Sequence, residues 1–153
     1  MTAPAIGDTA PDFTAPTDDG TLTLSALRGK NVVLYFYPKD ATPGCTTEAR
    51  SFRDQHDAFA ARDTVVLGVS RDPVKSHQKF RTKECLPFPL IADEGAVCEA
   101  YGAWREKKLY GRAYMGIARV TFLIDASGVV RKVWDPVKPE GHATEVLAAI
   151  DAL

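Results

Sequence analysis

The sequence has few cysteines, three in 153 residues, and this odd number cannot close into a set of structural disulfides. It also has no excess of charge of either sign, since 19 basic and 20 acidic residues give a formal net charge of −1. This balance offers no electrostatic reason to expect a nucleic acid or an anionic membrane as a partner. We therefore expect reduced thiols, a cytoplasmic location, and neither nucleic acid nor membrane among the partners.

Long apolar runs are missing as well, and no stretch approaches the roughly 20 apolar residues that a membrane-spanning helix needs. Residues 1–10 lack a basic region followed by an apolar one, so we expect no signal peptide. The chain contains no internal repeat, low-complexity tract or linker. Its 45% hydrophobic and 25% charged residues are typical of a globular protein. We therefore expect a single domain over residues 1–153.

Apolar runs and helical spacings alternate along the chain. Two short alternating runs around an Asp-Gly turn in residues 12–24 predict an N-terminal β-hairpin. Runs at 32–37 and 65–70 predict two buried strands, each followed by a helix. The remaining predicted elements are a strand at 88–92, a helix that carries Val97, Cys98, Tyr101 and Trp104, a polar loop over 106–116, a strand at 118–125, its hairpin partner at 129–134 and a terminal helix from 142.

This order predicts an α/β protein with a central mixed β-sheet flanked by helices. It is the outline of a thioredoxin-like fold, here with the β-hairpin as an N-terminal extension. The first helix is expected to run from residue 43 to about 62, and the second from residue 73 to about Cys85, because a proline follows there.

The stretch PKDATPGCTTE, residues 38–48, joins the first buried strand to the first helix. Thr42 is a preferred N-cap residue, and Pro43 suits the first helical position because it has no N–H to leave unpaired. Gly44 leaves the backbone open beside Cys45, which falls in the first helical turn. Free N–H groups and the helix dipole favour a thiolate there, so Cys45 is a candidate nucleophile; a small buried hydrophobe is the alternative.

The spacing Pro38-x-x-x-Thr42-x-x-Cys45, at the end of a Phe-Tyr-Pro strand, resembles the active-site signature of the peroxiredoxins. The fuller strings YFYPKD and TPGCTTEA are similar to the peroxiredoxin Q branch, also called bacterioferritin comigratory protein. The resemblance extends over nearly the whole chain through the segments APDF at 10–13, GVS at 68–70, FPL at 88–90, YGAW at 101–104 and GIARVTFLID at 116–125.

The resemblance implies a thiol peroxidase that reduces hydrogen peroxide and organic hydroperoxides without a cofactor or a metal. By the family pattern, Cys45 is the peroxidatic cysteine and becomes a sulfenic acid. Thr42 and the backbone N–H groups at Gly44 and Cys45 would bind the peroxide oxygens, and Arg119 would supply the cation. Without the family pattern, Arg119 would be a surface arginine on a strand.

Two further residues receive roles from the same resemblance. Pro38 would shield the thiolate from water, and Glu48 would orient the groups around it from just outside them, where Gly44 also lies. The reductant would be thioredoxin, glutaredoxin or a small thiol. We expect a monomer, because no unusual apolar stripe demands a partner.

The chain departs from the family at the resolving cysteine. Many members of the branch carry it five residues after the peroxidatic one, where this chain has Arg50. Others carry it on the following helix, either a few residues after the position of Phe80 or immediately after it, where this chain has Arg81. Cys85 is the nearest thiol. Three hypotheses stay open: Cys85 resolves after local unfolding, the enzyme uses one cysteine, or Cys85 is incidental at a helix end. Cys98 is interpreted as core packing.

Other classes of function fit less well. A thioredoxin-type oxidoreductase needs Cys-x-x-Cys, and position 48 is Glu. A cysteine hydrolase needs a histidine base, but the three histidines lie on predicted helices or at a helix start. No two cysteines or histidines have the spacing of zinc ligands. A non-enzymatic binding module is not excluded by composition, and consumption of hydroperoxide distinguishes it from the peroxidase.

Overall fold

The computed structural model describes residues 3–153. Residues 1 and 2 lie outside that range. They begin the stretch 1–10, for which no signal peptide is expected. The elements in chain order are β1 (Thr14–Thr17), β2 (Gly20–Thr23), a short 3-10 helix (Leu24–Leu27), β3 (Asn31–Phe36), α1 (Pro43–Asp54), α2 (His56–Ala60), β4 (Thr64–Ser70), α3 (Val74–Glu84), β5 (Leu90–Ala92), α4 (Ala96–Ala100), β6 (Trp104–Leu109), β7 (Arg112–Ile117), β8 (Val120–Ile124), β9 (Val130–Trp134) and α5 (His142–Asp151).

Seven strands form one mixed sheet in the order β2-β1-β5-β4-β3-β8-β9, which confirms the predicted thioredoxin-like α/β fold. The central strand β3 pairs with β4 in parallel and with β8 in antiparallel orientation. The predicted N-terminal hairpin is present as β1 and β2, and it joins the sheet where Thr17 is opposite Ile91. The hairpin therefore extends the edge of the main sheet.

The central strand supplies both hydrophobic cores of the molecule. Val32, Leu34 and Phe36 point to one side of the sheet, into a core that includes α4. The alternate residues Val33 and Tyr35 point to the other side, into a core shared by α1, α2, α3 and α5. Because successive side chains of a strand face opposite ways, a strand covered on both faces must be apolar throughout, as the run at 32–37 is.

Three predicted helices differ from the structure. The predicted helix over 43–62 is two helices, α1 and α2, interrupted at Gln55, where the sequence has neither glycine nor proline as a signal. The third predicted helix ends before Trp104, because Gly102 adopts φ +67 and the chain turns into β6. The second predicted helix begins at Val74, one residue later than expected.

The predicted polar loop over 106–116 is mostly a β-hairpin, formed by β6 and β7. Its turn is made by Tyr110 and Gly111, both with positive φ, as a two-residue hairpin turn requires. The two strands form a separate sheet outside the seven-stranded one. They therefore lack the apolar alternation that a core-facing strand shows, and this is why the pattern failed to indicate them.

None of the helices within residues 3–153 combines the length and the apolar character that crossing a membrane requires.

Candidate active site

The loop after β3 leads directly into α1. Thr42 is the N-cap of α1, as predicted, with an extended backbone (φ −81°, ψ 154°). Its hydroxyl does not cap the helix but donates a hydrogen bond to the Lys39 carbonyl oxygen at 2.8 Å. Ala41 adopts φ 62°, a left-handed conformation that costs a non-glycine residue about 1 kcal/mol. The loop is therefore held in one specific shape.

Cys45 is the third residue of α1, and 1% of it is exposed. The first backbone hydrogen bond of the helix runs from Thr46 N to Thr42 O, at 2.9 Å. The N–H groups of Gly44 and Cys45 precede that bond, so they belong to the free donors at a helix N-terminus. These donors and the positive end of the helix dipole lie at the cysteine.

Arg119 immediately precedes β8 and reaches the cysteine from a distant part of the sequence. Its Nη2 lies 3.4 Å from Cys45 Sγ, and its Nη1 donates to Glu48 Oε1 at 2.8 Å. Antiparallel pairing places Val120 opposite Phe36, so the start of β8 lies beside the end of β3 and the loop that follows it. The structure thus brings together two residues that the sequence analysis had associated only by resemblance.

The close approach of the Arg119 guanidinium to Cys45 requires a glycine at position 44. A Cβ atom added there would lie 3.2 Å from Arg119 Nη2, tighter than most such contacts. A side chain at position 44 would therefore push the guanidinium away from Cys45.

Glu48 is fully buried one helical turn after Cys45. Burial raises the pKa of the Glu48 carboxyl to about 7, although the charge and the hydrogen bond of Arg119 act in the opposite direction. Its Oε2 has no hydrogen-bond partner among residues 3–153. Burial lowers the pKa of the Arg119 guanidinium, but the charges of Cys45 and Glu48 raise it by more. The two acidic groups therefore share one cation.

A second buried polar cluster lies behind the loop, and no pattern in the sequence indicated it. Asp40 accepts hydrogen bonds from the Tyr37 hydroxyl at 2.6 Å and the Ser76 hydroxyl at 2.8 Å. His77 Nδ1 lies 2.7 Å from Asp40 Oδ2, and His77 Nε2 lies 2.9 Å from the Ile91 carbonyl oxygen. Burial lowers the pKa of His77, but the hydrogen bond and the charge of Asp40 outweigh it, so the pKa is raised.

Asp72 extends this cluster, with Oδ2 accepting from the backbone N–H of Asp40 at 2.8 Å and from the Ser70 hydroxyl at 2.7 Å. The ligand atoms of Asp40, Asp72 and His77 lie within 4.8 Å of one another. Both ring nitrogens and the closest carboxylate oxygens already have partners, which fits a hydrogen-bond network better than a metal site. Spacings of 32 and 37 residues gave no sequence signal for it.

Pro38, which follows β3 and precedes the Thr42–Cys45 turn, is half-buried and lines an open cleft of about 530 Å³. The β6–β7 hairpin forms much of the opposite wall, including Trp104, Lys107 and Tyr114. Burial, followed by repulsion from Arg119, lowers the pKa of Lys107, and attraction to Cys45 partly offsets this. The segment predicted to be a polar loop therefore lines a cleft together with Pro38, and Lys107 lies close enough to Arg119 and Cys45 for their charges to act on it.

The other two cysteines lie apart from the site. Cys85 is the exposed C-cap of α3 and has a left-handed backbone, with φ 54° and ψ 45°. Cys98 is fully buried in the core on the α4 side of the sheet, as its spacing predicted. Burial, and a hydrogen bond with Asp93, raise the pKa of the Cys98 thiol. All three cysteines are free thiols.

The arrangement matches known proteins in sequence and in fold. Residues 6–133 match the AhpC/TSA family. A putative peroxiredoxin bcp of Coxiella burnetii is 51% identical over 147 residues, covering 95% of this chain and 97% of that protein. Peroxiredoxin Bcp of Bacillus subtilis is 50% identical over 147 residues, covering 95% and 94%. A structure of Xanthomonas campestris peroxiredoxin Q superimposes with a TM-score of 0.89 at 42% identity, covering 97% of this chain and 96% of that one.

Proposed function

Because the chain belongs to the AhpC/TSA family, as a peroxiredoxin of the Bcp or Q type, we propose that Cys45 is the residue that attacks the hydroperoxide. The protein is a thiol-dependent peroxidase, with a peroxide as oxidant and a thiol as reductant. One observation carries the assignment to Cys45: its sulfur lies in the first turn of α1, 3.4 Å from the guanidinium of Arg119. Permanent positive charge and free N–H donors stabilise a thiolate at this position.

In the first step, the Cys45 thiolate attacks one oxygen of the hydroperoxide. A sulfur–oxygen bond forms and the O–O bond breaks. The sulfur is oxidised to a sulfenic acid, and the leaving oxygen takes up a proton and departs as water or an alcohol. Negative charge moves from sulfur onto oxygen, so donors that are already in place lower the barrier.

Arg119 and the backbone N–H groups of Gly44 and Cys45 are the proposed donors to the peroxide oxygens. The Thr42 hydroxyl donates its proton to the Lys39 carbonyl oxygen at 2.8 Å. The lone pairs of its oxygen remain, so Thr42 accepts the hydrogen of the incoming hydroperoxide. Pro38 covers one side of the pocket and limits access of water to the thiolate.

Glu48 positions Arg119 by accepting from Nη1, which leaves Nη2 directed at the cysteine sulfur. Buried beside the thiolate, it also adds negative charge when ionised. We therefore assign Glu48 to positioning rather than to proton transfer with the substrate.

Cys85 is the proposed resolving cysteine. The Cys85 thiol loses its proton, its thiolate attacks the sulfur of the Cys45 sulfenic acid, a disulfide forms, the sulfur–oxygen bond breaks, and the leaving hydroxide takes up that proton to give water. Because Cys45 is buried and Cys85 is exposed at the end of α3, this step requires local rearrangement. Thioredoxin, glutaredoxin or a small thiol then reduces the disulfide by thiol–disulfide exchange.

A one-cysteine mechanism is the second candidate, since Cys45 is buried and Cys85 is exposed and both are free thiols. In that case the external thiol attacks the Cys45 sulfenic acid directly. We further propose that the protein acts as a monomer in the cytoplasm, where thiols are kept reduced.

One equivalent of hydrogen peroxide added to the fully reduced protein tests the assignment. Wild type should consume the peroxide and acquire a Cys45–Cys85 disulfide that mass spectrometry maps. Cys45→Ser should lose peroxide consumption; if it keeps that activity, the assignment of Cys45 is wrong.

Cys85→Ser is the matched variant for the second step. It should still consume one equivalent of peroxide and should accumulate a dimedone-reactive sulfenic acid at Cys45. A persistent sulfenic acid in the wild type, with no disulfide, would instead establish the one-cysteine mechanism.

A further inference from the structure

The end of α3 next to Cys85 is fastened to α1, the helix that carries Cys45. Glu84 is the last residue of α3, and its Oε1 accepts a hydrogen bond from Arg50 Nε at 2.6 Å. The backbone carbonyl of the same glutamate accepts from Arg53 Nη1 at 3.0 Å. We call these two contacts the α1–α3 clasp. They join residues 34 and 31 positions apart in the sequence.

The carboxylate of Glu84 is the charged group of the clasp, and its surroundings favour the pair with Arg50. The side chain of Glu84 is only 6% exposed, whereas that of Arg50 is 54% exposed. The hydrogen bond and charge of Arg50 lower the pKa of Glu84 despite some burial, so the carboxylate is ionised at neutral pH. Separating the pair would leave a mostly covered carboxylate without its cation, which opposes movement of the helix end.

The segment that the clasp holds is conformationally strained. Cys85 has a left-handed backbone although it carries a side chain, and Leu86 closes the helix end with a hydrogen bond from its N–H to the Arg81 carbonyl at 3.0 Å. A left-handed non-glycine residue persists when its surroundings hold it in place. Unwinding of the end of α3 would relieve this strain.

We propose that the α1–α3 clasp sets the rate at which Cys85 reaches the Cys45 sulfenic acid. This inference rests on the proposed resolving role of Cys85. Because Cys45 is buried within the folded site and Cys85 is on the surface, the disulfide forms only after the end of α3 has left its place. Both contacts of Glu84 resist that departure. Arg50 and Glu84 are thus positioning residues, which act on the second chemical step and not on the first.

The clasp has a consequence for the oxidised enzyme. While it is closed, the folded site is retained and the sulfenic acid persists at Cys45. A second hydroperoxide can then oxidise it to a sulfinic acid. Loosening the clasp should therefore shorten the life of the sulfenic acid and lower the yield of sulfinic acid under excess hydrogen peroxide.

A rapid-quench experiment on the reduced full-length protein tests the proposal. One equivalent of hydrogen peroxide starts the reaction, and mass spectrometry then follows the dimedone adduct of Cys45 and the Cys45–Cys85 disulfide. Glu84→Gln and Arg50→Gln should each speed disulfide formation about two- to fivefold, as expected for loss of a partly exposed ion pair. The rate of sulfenic acid formation should stay at the wild-type value.

Two comparisons separate the clasp from a general loss of stability. The double variant Arg50→Gln/Glu84→Gln should be no faster than either single variant, because both changes remove the same contact. Arg50→Lys should restore a rate near that of wild type. Asp151→Asn, which removes the 2.7 Å pair of Arg62 and Asp151 elsewhere on the surface, should leave the rate unchanged.

Hydrogen exchange of the reduced proteins supplies a readout that does not depend on the chemistry. Amides of residues 80–86 should exchange faster in Glu84→Gln than in wild type. A disulfide that forms at the same rate in wild type, Glu84→Gln and Arg50→Gln would overturn the role of the clasp alone. Absence of the disulfide in every variant would overturn the resolving role of Cys85 and the clasp proposal with it.

Discussion

His77 Nδ1 lies 2.7 Å from Asp40 Oδ2 in the interior of the protein, and neither side chain is more than 3% exposed. The other ring nitrogen faces the Ile91 carbonyl oxygen at 2.9 Å. A carboxylate and a carbonyl are both acceptors, so this site satisfies both N–H groups of an imidazolium, in keeping with the raised pKa of His77. This buried ion pair joins the active-site loop to α3 and holds the loop that contains the left-handed Ala41.

Asp40→Asn should destabilise the protein by about 1–3 kcal/mol at pH 6, because His77 loses its counter-charge and its carboxylate acceptor and burial then favours the neutral ring. The raised pKa of His77 means that the contribution of the pair is complete below pH 6.5 and is lost as the pH rises through the raised value. The difference between wild type and Asp40→Asn should therefore be larger at pH 6 than at pH 10 in urea unfolding. Asp135→Asn, which removes an exposed pair with Arg105, should cost less than about 1 kcal/mol. Equal effects of the two variants would contradict the prediction.

Glu48→Gln should change how stability depends on pH. Since burial raises the pKa of Glu48 from 4.5 to about 7, its contribution to stability is complete below pH 4.5 and is lost as the pH rises to 7. The comparison is made in a Cys45→Ser background, which removes the thiolate. Between pH 4.5 and 7, the free energy of unfolding of the protein with Glu48 should fall by on the order of 3 kcal/mol relative to that of the Glu48→Gln variant. Urea unfolding at pH 4.5, 5.5, 6.5 and 7.5 measures this. A constant difference between the two proteins would show that the carboxyl titrates normally.

Arg119→Met should slow oxidation of Cys45 by hydrogen peroxide by about 10²- to 10³-fold, because the transition state loses a fixed charged donor. Arg119→Lys should lie between this variant and wild type, since one ammonium cannot reproduce the fork that contacts both Cys45 and Glu48. Stopped-flow measurement of the second-order rate constant tests both variants. Arg131→Met, which removes an exposed pair with Asp125, is the control and should react like wild type. A rate within threefold of wild type in Arg119→Met would show that Arg119 does not contribute to the proposed reaction.

Cys85 and Cys98 should differ in their reaction with iodoacetamide in the native, reduced protein. Cys85 is exposed and should be labelled readily, whereas Cys98 is fully buried and burial raises the pKa of its thiol. Cys98 should therefore become labelled only when the protein unfolds, for example in 8 M urea. Peptide mapping after short labelling times provides the measurement. Labelling of Cys98 as fast as Cys85 would show that the α4 side of the core opens readily.

Local patterns were sufficient for much of the fold. The apolar runs of β3 and β4, and the Thr-Pro-Gly sequence before Cys45, depend on neighbouring residues and were predicted correctly. Patterns failed where the structure departs from a core-facing arrangement. The β6–β7 hairpin lies outside the main sheet, so its strands show no alternation, and the interruption of the first helix at Gln55 has no glycine or proline to mark it.

The sequence by itself determined that Cys45 lies in the first turn of a helix after a buried strand, since capping, proline and strand periodicity act over a few residues. Only the tertiary structure decided what surrounds that sulfur. Arg119 arrives from 74 positions away because β8 pairs with β3, and His77 meets Asp40 because α3 packs behind the loop. In the sequence, Arg50 is notable only because a cysteine is absent from that position. In the structure it pairs with Glu84 and holds the end of α3. Such contacts depend on the order and direction of strands in the sheet, which no local pattern encodes.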